Sequence, residues 1–358
     1  MSLCGNFARM GRMNSLFNRK KVVVMVAHGG VGEFLFQVDL AMRFKKVGIT
    51  SIILVKNKYT FFKGIVDEVE DNHICLVNRE GWRYYMYMPS VWLLCLMRDV
   101  TIINSFNSLY YRLPTKIFYN IAKLFSARIV VSKHKKENVS YEQVPYEKEM
   151  VWQRNNRIVE YVTGTHFNEG FPIIKFKSYE HQASSIKHQV GNKYIHIHPV
   201  GSILAKSYPV KKLIEVVKKL QEDNKIIITL TPSEERWYVT DELRDFVNSS
   251  DNVELIIKYF PIKEIISLIA NAQVFCTVNT GLLWLSLMIG QKVVVCDYFT
   301  DNEWNPKEYP NVTRLSHDYD ENGNGLHHVL KKHEDGTYFE SMYLVTPDEF
   351  SQAIMHSI

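Results

Sequence analysis

Residues 271–290, NAQVFCTVNTGLLWLSLMIG, decide the fold of this 358-residue chain. The apolar, β-branched run Val274–Val278 predicts a buried strand. Asn279 and Thr280 favour a helix N-cap, apolar residues then recur at helical spacing, and Gly290 predicts the helix end. A helix that begins at the carboxyl end of a strand offers N–H groups and a positive dipole end to a phosphate. The alternative is an ordinary strand–helix turn that binds nothing.

Strands and helices alternate on both sides of this stretch. The apolar runs predict strands at Lys21–Val26, Thr50–Val55, His73–Val77, Asp99–Asn104, Ala127–Ser132, Tyr194–His198, Lys225–Leu230, Asn252–Ile257 and Lys292–Cys296. Helical spacing predicts helices at Phe34–Lys46, Lys116–Phe125, Val151–Thr163, Val210–Leu220, within Pro232–Val247 and at Ile262–Ala270. This alternation is typical of α/β proteins with doubly wound parallel sheets.

The alternation weakens between Gly164 and Lys193, where polar residues dominate. We therefore expect a flexible lead-in at 1–19, an N-terminal Rossmann-like domain at 20–170, a linker at 171–192 and a C-terminal Rossmann-like domain at 193–358. Two such domains facing across a cleft are the GT-B architecture of nucleotide-sugar glycosyltransferases and some epimerases. Two-domain dehydrogenases and binding proteins are the other users of paired Rossmann-like halves.

Composition narrows the class of protein. With 46% hydrophobic and 23% charged residues, the chain is globular. A net charge of +5 suits an anionic ligand or membrane surface but is too small to indicate nucleic acid. The five cysteines are scattered without a Cys-x-x-Cys pair, which predicts reduced thiols in a cytoplasmic protein. No long apolar run precedes Val22, so we expect no signal peptide, and the cluster Val91–Met97 is too short to span a membrane.

The first loop, His28–Glu33, is rich in glycine. Gly30 and Gly32 begin a Gly-x-Gly-x-x-Gly pattern, but Leu35 occupies its third glycine position, so the dinucleotide fingerprint fails. Glu33 falls at the start of a predicted helix, at the carboxyl edge of the first strand. A carboxylate there can accept a proton from a hydroxyl. Alternatively, Glu33 only complements the helix dipole.

Polar side chains also follow the strands of the second half. His196 and His198 share one face of a strand, but no third metal ligand is apparent, so hydrogen bonding is the favoured interpretation. Lys206 lies in the next loop, where a lysine can pair with a diphosphate or simply be solvated. Glu234 follows another strand and can contact a ligand hydroxyl or cap a helix. Asp318-Tyr-Asp320 resembles an Asp-x-Asp metal motif, but its Gly/Asn-rich context favours a turn.

Four of these stretches resemble, in order, the bacterial heptosyltransferase family of GT-B enzymes, which build the inner core of lipopolysaccharide. They are Gly32-Glu-Phe34, His198-Pro-Val-Gly-Ser202 with Lys206-Ser-Tyr-Pro209, Thr231-Pro-Ser-Glu-Glu235 and Val278-Asn-Thr-Gly-Leu-Leu-Trp-Leu-Ser-Leu287. The resemblance covers most of residues 21–315 and is weakest between 56 and 190, which is the acceptor side of this architecture. Three positions depart from the family pattern: Glu33 replaces its catalytic Asp, Asn279 an Asp and Trp284 a His.

The resemblance implies transfer of a sugar, such as heptose, from a nucleotide diphosphate sugar to a hydroxyl of a lipopolysaccharide core or related surface glycan. An ADP-linked donor is favoured, with no metal and no separate cofactor. Glu33 would take the acceptor proton, and Lys206 with the N–H groups at Thr280 and Gly281 would hold the diphosphate. The implied donor contacts are Ser202, Lys206, Glu234, Asn279, Thr280, Gly281 and Leu282.

The family's work at the inner membrane implies a cytoplasmic protein with possible peripheral contact at that membrane and a lipid-linked glycan acceptor, but no nucleic-acid partner. The basic, aromatic stretches Arg79–Tyr85 and Lys133–Lys136 would then meet the acceptor or anionic headgroups, or are solvated loops. Three alternatives stay open: a nucleotide-sugar epimerase, a capsule or O-antigen transferase, and a catalytically silent binding protein of the same fold.

Overall fold

The computed structural model describes residues 21–26, 30–55, 66, 74–78, 91–92, 94–95, 98–104, 113–125, 127–131, 142–144, 149–176, 194–298, 305–326 and 329–358. The chain divides into two compact units, Met1–Lys177 and Ser178–Ile358. That division falls inside the stretch predicted as a linker. The predicted lead-in at 1–19 and the stretches 79–85 and 133–136 lie outside the described residues.

The first unit is built on a six-stranded sheet in the order β3-β2-β1-β4-β5-β6, with every neighbouring pair parallel. Its elements are β1 Lys21–Val26, α1 Val31–Lys46, β2 Thr50–Val55, β3 Ile74–Asn78, β4 Asp99–Asn104, α2 Leu113–Leu124, β5 Arg128–Val131, β6 Glu142–Gln143 and α3 Val151–Thr163. The order is that of a Rossmann fold, in which the first strand lies at the centre of the sheet.

Helix α1 begins at Val31, three residues before the predicted start at Phe34. Gly30 is the N-cap in extended conformation, and its carbonyl accepts the first helical bond from the Phe34 N–H at 3.2 Å. Gly32 is buried within the first turn. The prediction was wrong here because glycine is a poor helix former in general, yet Gly32 lies inside the first turn of the helix.

A buried polar network joins α1 to α3. Asp39 accepts a bond from Arg43 Nε at 2.8 Å and another from Asn155 Nδ2 at 2.7 Å. The Arg43 guanidinium also donates to the Gly170 carbonyl at 2.9 Å, which ties down the segment after α3. Burial raises the pKa of Asp39, although the Arg43 charge opposes that shift. The network therefore joins the two helices through buried hydrogen bonds.

The second unit repeats the same sheet arrangement with the order β12-β11-β10-β7-β8-β9, again wholly parallel. Its elements are β7 Ile195–His198, α4 Val210–Leu220, β8 Ile226–Leu230, α5 Pro232–Tyr238, α6 Asp241–Asn248, β9 Val253–Ile257, α7 Ile262–Asn271, β10 Val274–Val278, α8 Gly281–Ile289, β11 Val293–Cys296, β12 Val312–Leu315, β13 Leu330–His333, β14 Gly336–Phe339, α9 Glu340–Tyr343 and α10 Pro347–Ser357. The stretch predicted to hold one helix, Pro232–Val247, holds two, because the Thr240 hydroxyl caps a new helix at the Leu243 N–H.

The segment after β12 closes back onto the beginning of this unit. Helix α10 packs against α4. The Tyr208 hydroxyl donates to the Val345 carbonyl at 3.2 Å, and the Tyr208 ring meets Phe350 edge-on at 4.9 Å between centroids. The antiparallel hairpin β13–β14 packs against the short 3₁₀ turn Leu204–Lys206. The two ends of the unit therefore share one core.

Among the helices that the structure describes, none has both the length and the apolar character needed to cross a bilayer.

The cysteines Cys95, Cys276 and Cys296 are buried free thiols, and burial raises the pKa of each, to about 11 for Cys95.

Candidate functional site

The carboxyl ends of β7, β10, β11 and β12 lie at one edge of the second sheet because these strands are parallel. Ligands of doubly wound folds bind outside the carboxyl ends of the strands, where the strand order reverses. In this sheet the reversal lies between β7 and β10, because β8 and β9 extend one way from β7 and β11 and β12 extend the other way from β10. The stretch singled out from the sequence ends β10 and begins α8 at this point.

Helix α8 runs over nine residues, Gly281–Ile289, with Thr280 as its N-cap in extended conformation at φ −138° and ψ 177°. The Thr280 side chain does not cap the helix, and its buried Oγ1 has no hydrogen-bond partner among the described residues. Helix α8 ends at Gly290, which has the left-handed φ of 85° that favours glycine. The predicted strand, turn and helix are thus confirmed, and the turn leaves a hydroxyl beside a helix N-terminus.

A buried charge network supports this turn from the side of β11 and β12. Asn279 Nδ2 donates to Asp297 Oδ1 at 3.0 Å, and Arg314 Nε donates to Asp297 Oδ2 at 2.8 Å. Arg314 also makes a two-point contact with Asp318, with both bonds at 2.8 Å. The Asp297 side chain is 0% exposed and that of Arg314 7% exposed. The residue before the N-cap is therefore anchored to a fully buried carboxylate.

Lys206 lies on the 3₁₀ turn that follows β7. Gly201 passes so close to this turn that a Cβ at Gly201 would lie 2.5 Å from the Lys206 carbonyl oxygen. The Gly201 N–H donates to Ser207 Oγ at 3.0 Å, which closes the loop, and Ser202 is exposed on it. The Lys206 ammonium lies 5.4 Å from the centroid of the Tyr298 ring, within the range of a cation–π contact.

Glu234 completes a capping box at the start of α5. Its Oε2 accepts from the Thr231 N–H at 2.7 Å, and the Thr231 hydroxyl accepts from the Glu234 N–H at 3.3 Å. Its other carboxylate oxygen lies 3.9 Å from His198 Nε2. The cap that the sequence allowed is present, and a contact between Glu234 and a ligand stays a prediction.

Both histidines of β7 turn toward Thr229 on β8. His196 Nε2 lies 2.8 Å from Thr229 Oγ1, and His198 Nδ1 donates to the Thr229 carbonyl at 2.9 Å. Burial lowers the pKa of His196 to about 3, with a smaller contribution from His198. Burial also lowers the pKa of His198, although the Glu234 charge opposes that shift. Both imidazoles are therefore neutral near pH 7, and the described residues contain no cluster of metal-ligating side chains around them.

The Asp-x-Asp stretch forms a turn, as its composition predicted. The Asp318 carboxylate is engaged by Arg314 and by Ser316 Oγ at 2.8 Å. Asp320 Oδ1 accepts from the backbone N–H groups of Asn322 at 2.9 Å and Asn324 at 2.7 Å. Both carboxylates therefore stabilise the conformation of this turn through these hydrogen bonds.

The structure places the predicted site residues in both units. Glu33 is half-buried in the first turn of α1, which follows β1 in the first unit. The others lie in the second unit, and Asn279, Thr280, Gly281 and Leu282 are consecutive at the start of α8. Asp297, Tyr298 and Arg314 were not predicted. Asp297 is the first polar residue after the apolar strand β11, which is the signal that marked Asn279 after β10.

Comparisons with known proteins agree with this geometry. Residues 131–301 match the model of glycosyltransferase family 9 (heptosyltransferase). A glycosyl transferase family 9 structure from Veillonella parvula is 11% identical, with a TM-score of 0.66 over 94% of this chain and 97% of that one. The E. coli ADP-heptose lps heptosyltransferase II is 11% identical, with a TM-score of 0.64 over 95% and 98% of the two chains.

The dodecameric iron-containing heptosyltransferase TibC of E. coli, in complex with ADP-D-beta-D-heptose, is 14% identical, with a TM-score of 0.57 over 94% of this chain and 76% of that one. No curated protein matches the sequence. The solved structures show the fold, and the family model begins at the last residue of β5 and includes β7 to β11. The chain therefore has the GT-B fold, and its resemblance to the heptosyltransferases of glycosyltransferase family 9 is confirmed.

Proposed function

We propose that this protein transfers a sugar, heptose in the first instance, from an ADP-linked donor to a hydroxyl of a lipopolysaccharide core or related surface glycan. The observation that carries the proposal is the start of α8, where the buried Thr280 hydroxyl has no partner among the described residues and lies beside a helix N-terminus. That turn lies within the segment that matches the family model. The similar E. coli protein is named for ADP-heptose, which supports this choice of donor.

The chemistry requires stabilisation of the negative charge that develops on the departing diphosphate. A helix N-terminus carries about half a positive charge, and a lysine adds a full one. Lys206 and the N–H groups of Thr280 and Gly281 supply these charges in our proposal, and Ser202, Glu234 and Leu282 complete the donor contacts. Groups that are already in place to stabilise developing charge commonly account for most of the rate enhancement in such catalysis.

Glu33 is the proposed general base that takes the proton of the acceptor hydroxyl. It lies in the first turn of α1, where an acidic side chain complements the positive end of the helix dipole. The glutamate is one methylene longer than the aspartate of the family pattern and carries the same chemistry.

Asn279 separates this chain from the family pattern at the donor site. A second carboxylate at position 279 would face Asp297 Oδ1, which now accepts from Asn279 Nδ2 at 3.0 Å. The amide converts what would be a repulsion between two acids into a hydrogen bond. Because a negative charge near the donor sugar is thereby lost, the donor should be identified with a panel that includes hexose as well as heptose donors.

Nucleotide binding by the Lys206→Ala variant tests the donor site directly. We expect its dissociation constant for ADP, measured by calorimetry, to rise about 10- to 100-fold, because a charged hydrogen bond to the diphosphate is lost. Lys211→Ala, which removes an exposed lysine on α4, is the matched control and should bind ADP as the wild type does. Equal ADP affinity in the Lys206→Ala variant and the wild type would refute the phosphate role.

The reaction itself is tested by incubating the protein with ADP-heptose, UDP-, GDP- and CMP-sugars and a heptose-deficient lipopolysaccharide acceptor. We expect ADP release to depend on the acceptor. ADP binding without turnover on any acceptor would favour the silent binding protein, and interconversion of free nucleotide sugars would favour the epimerase.

We further propose that catalysis needs no metal and that the protein acts at the cytoplasmic face of the inner membrane on a lipid-linked glycan. The charges of the α8 N-terminus and Lys206 support the first point, and the net charge of +5 supports the second. Turnover that survives EDTA would support metal independence, whereas restoration by iron would overturn it, since TibC contains iron. Co-sedimentation with anionic but not neutral vesicles is the expected membrane result.

A further inference from the structure

An aromatic stack lies beneath the Lys206 turn. The Tyr298 and Phe339 rings lie nearly parallel, 4.7 Å apart with an angle of 9° between their planes. Tyr298 is 7% exposed, so the ring is held inside the protein while Lys206 Nζ lies over it at 5.4 Å. Phe339 ends the hairpin strand β14. An ammonium in this position is attracted by the negative face of the ring.

The same hairpin packs against the Lys206 turn, through the side chain of Leu204. A Cβ at Gly336 would lie 3.0 Å from Leu204 Cδ2, so the hairpin passes the turn at close range. On the other side, Gly201 packs against the carbonyl and Cβ of Lys206. The turn is therefore packed on two sides, by the hairpin at Leu204 and by Gly201 at Lys206, whereas these contacts leave the end of the lysine side chain unsupported.

Tyr298 follows Asp297 directly in the sequence, and the two residues contact different parts of the second unit. Asp297 binds Asn279 at the start of α8, and Tyr298 lies under Lys206. Burial is the main cause that raises the pKa of the Tyr298 phenol to about 12, and the Asp297 charge adds to it. The phenol is therefore neutral near pH 7, and its ring presents an uncharged face to the ammonium.

We propose that Tyr298 is a positioning residue that holds the Lys206 ammonium ready for the donor diphosphate. The ring restricts the lysine before the ligand arrives, so less rotamer entropy is lost when the phosphate binds. The proposal rests on the proposed function for its ligand, while the contact itself does not depend on any ligand.

Two variants separate the ring from the bulk of the side chain. Tyr298→Phe keeps the ring and loses the hydroxyl, and Tyr298→Leu loses the ring and keeps an apolar group of moderate size. We expect Tyr298→Leu to weaken ADP binding about 3- to 10-fold, the range of a partly buried cation–π contact, and Tyr298→Phe to match the wild type. Adenosine, which has no phosphate, should bind all three proteins with the same affinity.

Two results would overturn the proposal. One is a loss of ADP affinity that is the same in Tyr298→Phe and Tyr298→Leu, and the other is a loss of adenosine affinity in Tyr298→Leu as large as its loss of ADP affinity. Either result would indicate general damage to the fold. In the Lys206→Ala background the Tyr298→Leu change should have no further effect on ADP binding. A full additional effect there would also refute the role, because the two changes would then act independently.

A measurement without ligand keeps this inference separate from the proposed function. Lysine amines are labelled by reductive ¹³C-methylation, and the Lys206 signal is assigned by its loss in Lys206→Arg. We expect the wild-type Lys206 methyl signal to be shifted upfield by the Tyr298 ring, a shift kept in Tyr298→Phe and lost in Tyr298→Leu. An unshifted wild-type signal refutes the contact whether or not the leucine variant folds. If the signal is shifted but the protein does not bind ADP, the proposed ADP-linked donor is refuted, whereas the contact between Lys206 and Tyr298 is confirmed.

Discussion

The buried histidine of β7 predicts how the stability of the second unit depends on pH. His196 is 0% exposed, and burial lowers its pKa from 6.5 to about 3. In the unfolded chain the same imidazole takes up a proton below about pH 6.5, whereas in the folded unit it stays neutral. Because the unfolded state then binds more protons than the folded state, stability is complete above about pH 6.5 and is lost as the pH falls toward 3.

The magnitude follows from this difference in pKa. Between pH 7.5 and pH 5, one such histidine lowers the free energy of unfolding by about 2 kcal/mol, and the slope approaches about 1.4 kcal/mol per pH unit. His196→Gln removes the titrating group while keeping an amide that can reach Thr229. The variant should therefore lose about 2 kcal/mol less stability than the wild type over this range, whatever its stability at neutral pH.

Pulse proteolysis in urea at pH 7.5, 6.0 and 5.0 measures the effect in the full-length chain. Mass spectrometry of peptides from residues 194–298 reports the unfolding of the second unit alone. The control is His356→Gln, which removes an exposed histidine from α10. If His196→Gln shows the same slope of unfolding free energy against pH as the wild type and this control, burial of a neutral imidazole is not the cause.

Three further predictions concern the base, the charge network and a helix cap. Glu33→Gln should cut turnover at least about 100-fold with unchanged ADP affinity, as for loss of a general base; unaltered turnover in steady-state assays would remove Glu33 from the mechanism. Asp297→Ala should cost about 1–3 kcal/mol in urea unfolding, because Asn279 and the 7% exposed Arg314 lose a buried acceptor while Arg314 keeps Asp318; an unchanged free energy of unfolding would contradict a structural role for Asp297. Thr346→Ala should lower stability by about 1 kcal/mol through loss of the α10 capping box, while ADP affinity stays at the wild-type value; a changed affinity would contradict a purely structural cap.

Ten strands of the two parallel sheets were predictable because most of them are short, β-branched apolar runs, such as Val274–Val278 between polar turns. The strand order was not predicted, and neither were the short β6 and the partly exposed β12. The same reasoning placed Asn279, Thr280 and Gly281 at the start of a helix. It failed at Gly32, because the low helix propensity of glycine predicted a later start for a helix that begins at Val31.

The parts of the site that could not be predicted depend on contacts distant in sequence. Asp297 meets Arg314 across 17 positions, and no local pattern specifies which strand ends will face each other. The hairpin β13–β14 escaped prediction because its first strand, Leu-Lys-Lys-His, is largely exposed and lacks an apolar alternation. Its contact with the Lys206 turn joins residues far apart in the chain and follows from the closure of the whole unit.

That closure has a consequence for how the protein is made. The hairpin and α10 lie beyond residue 301, where the family-matched segment stops, yet they pack against the turn and the helix that follow β7. During synthesis, strands β7 to β11 emerge before residues 336–357, which supply the hairpin strand beside the Lys206 turn and the helix that packs against α4. A nascent chain that stalls or is cleaved near residue 301 would therefore expose surfaces of the Lys206 turn and of α4 that the complete unit covers. Chaperones would bind such surfaces, and proteases would cleave there.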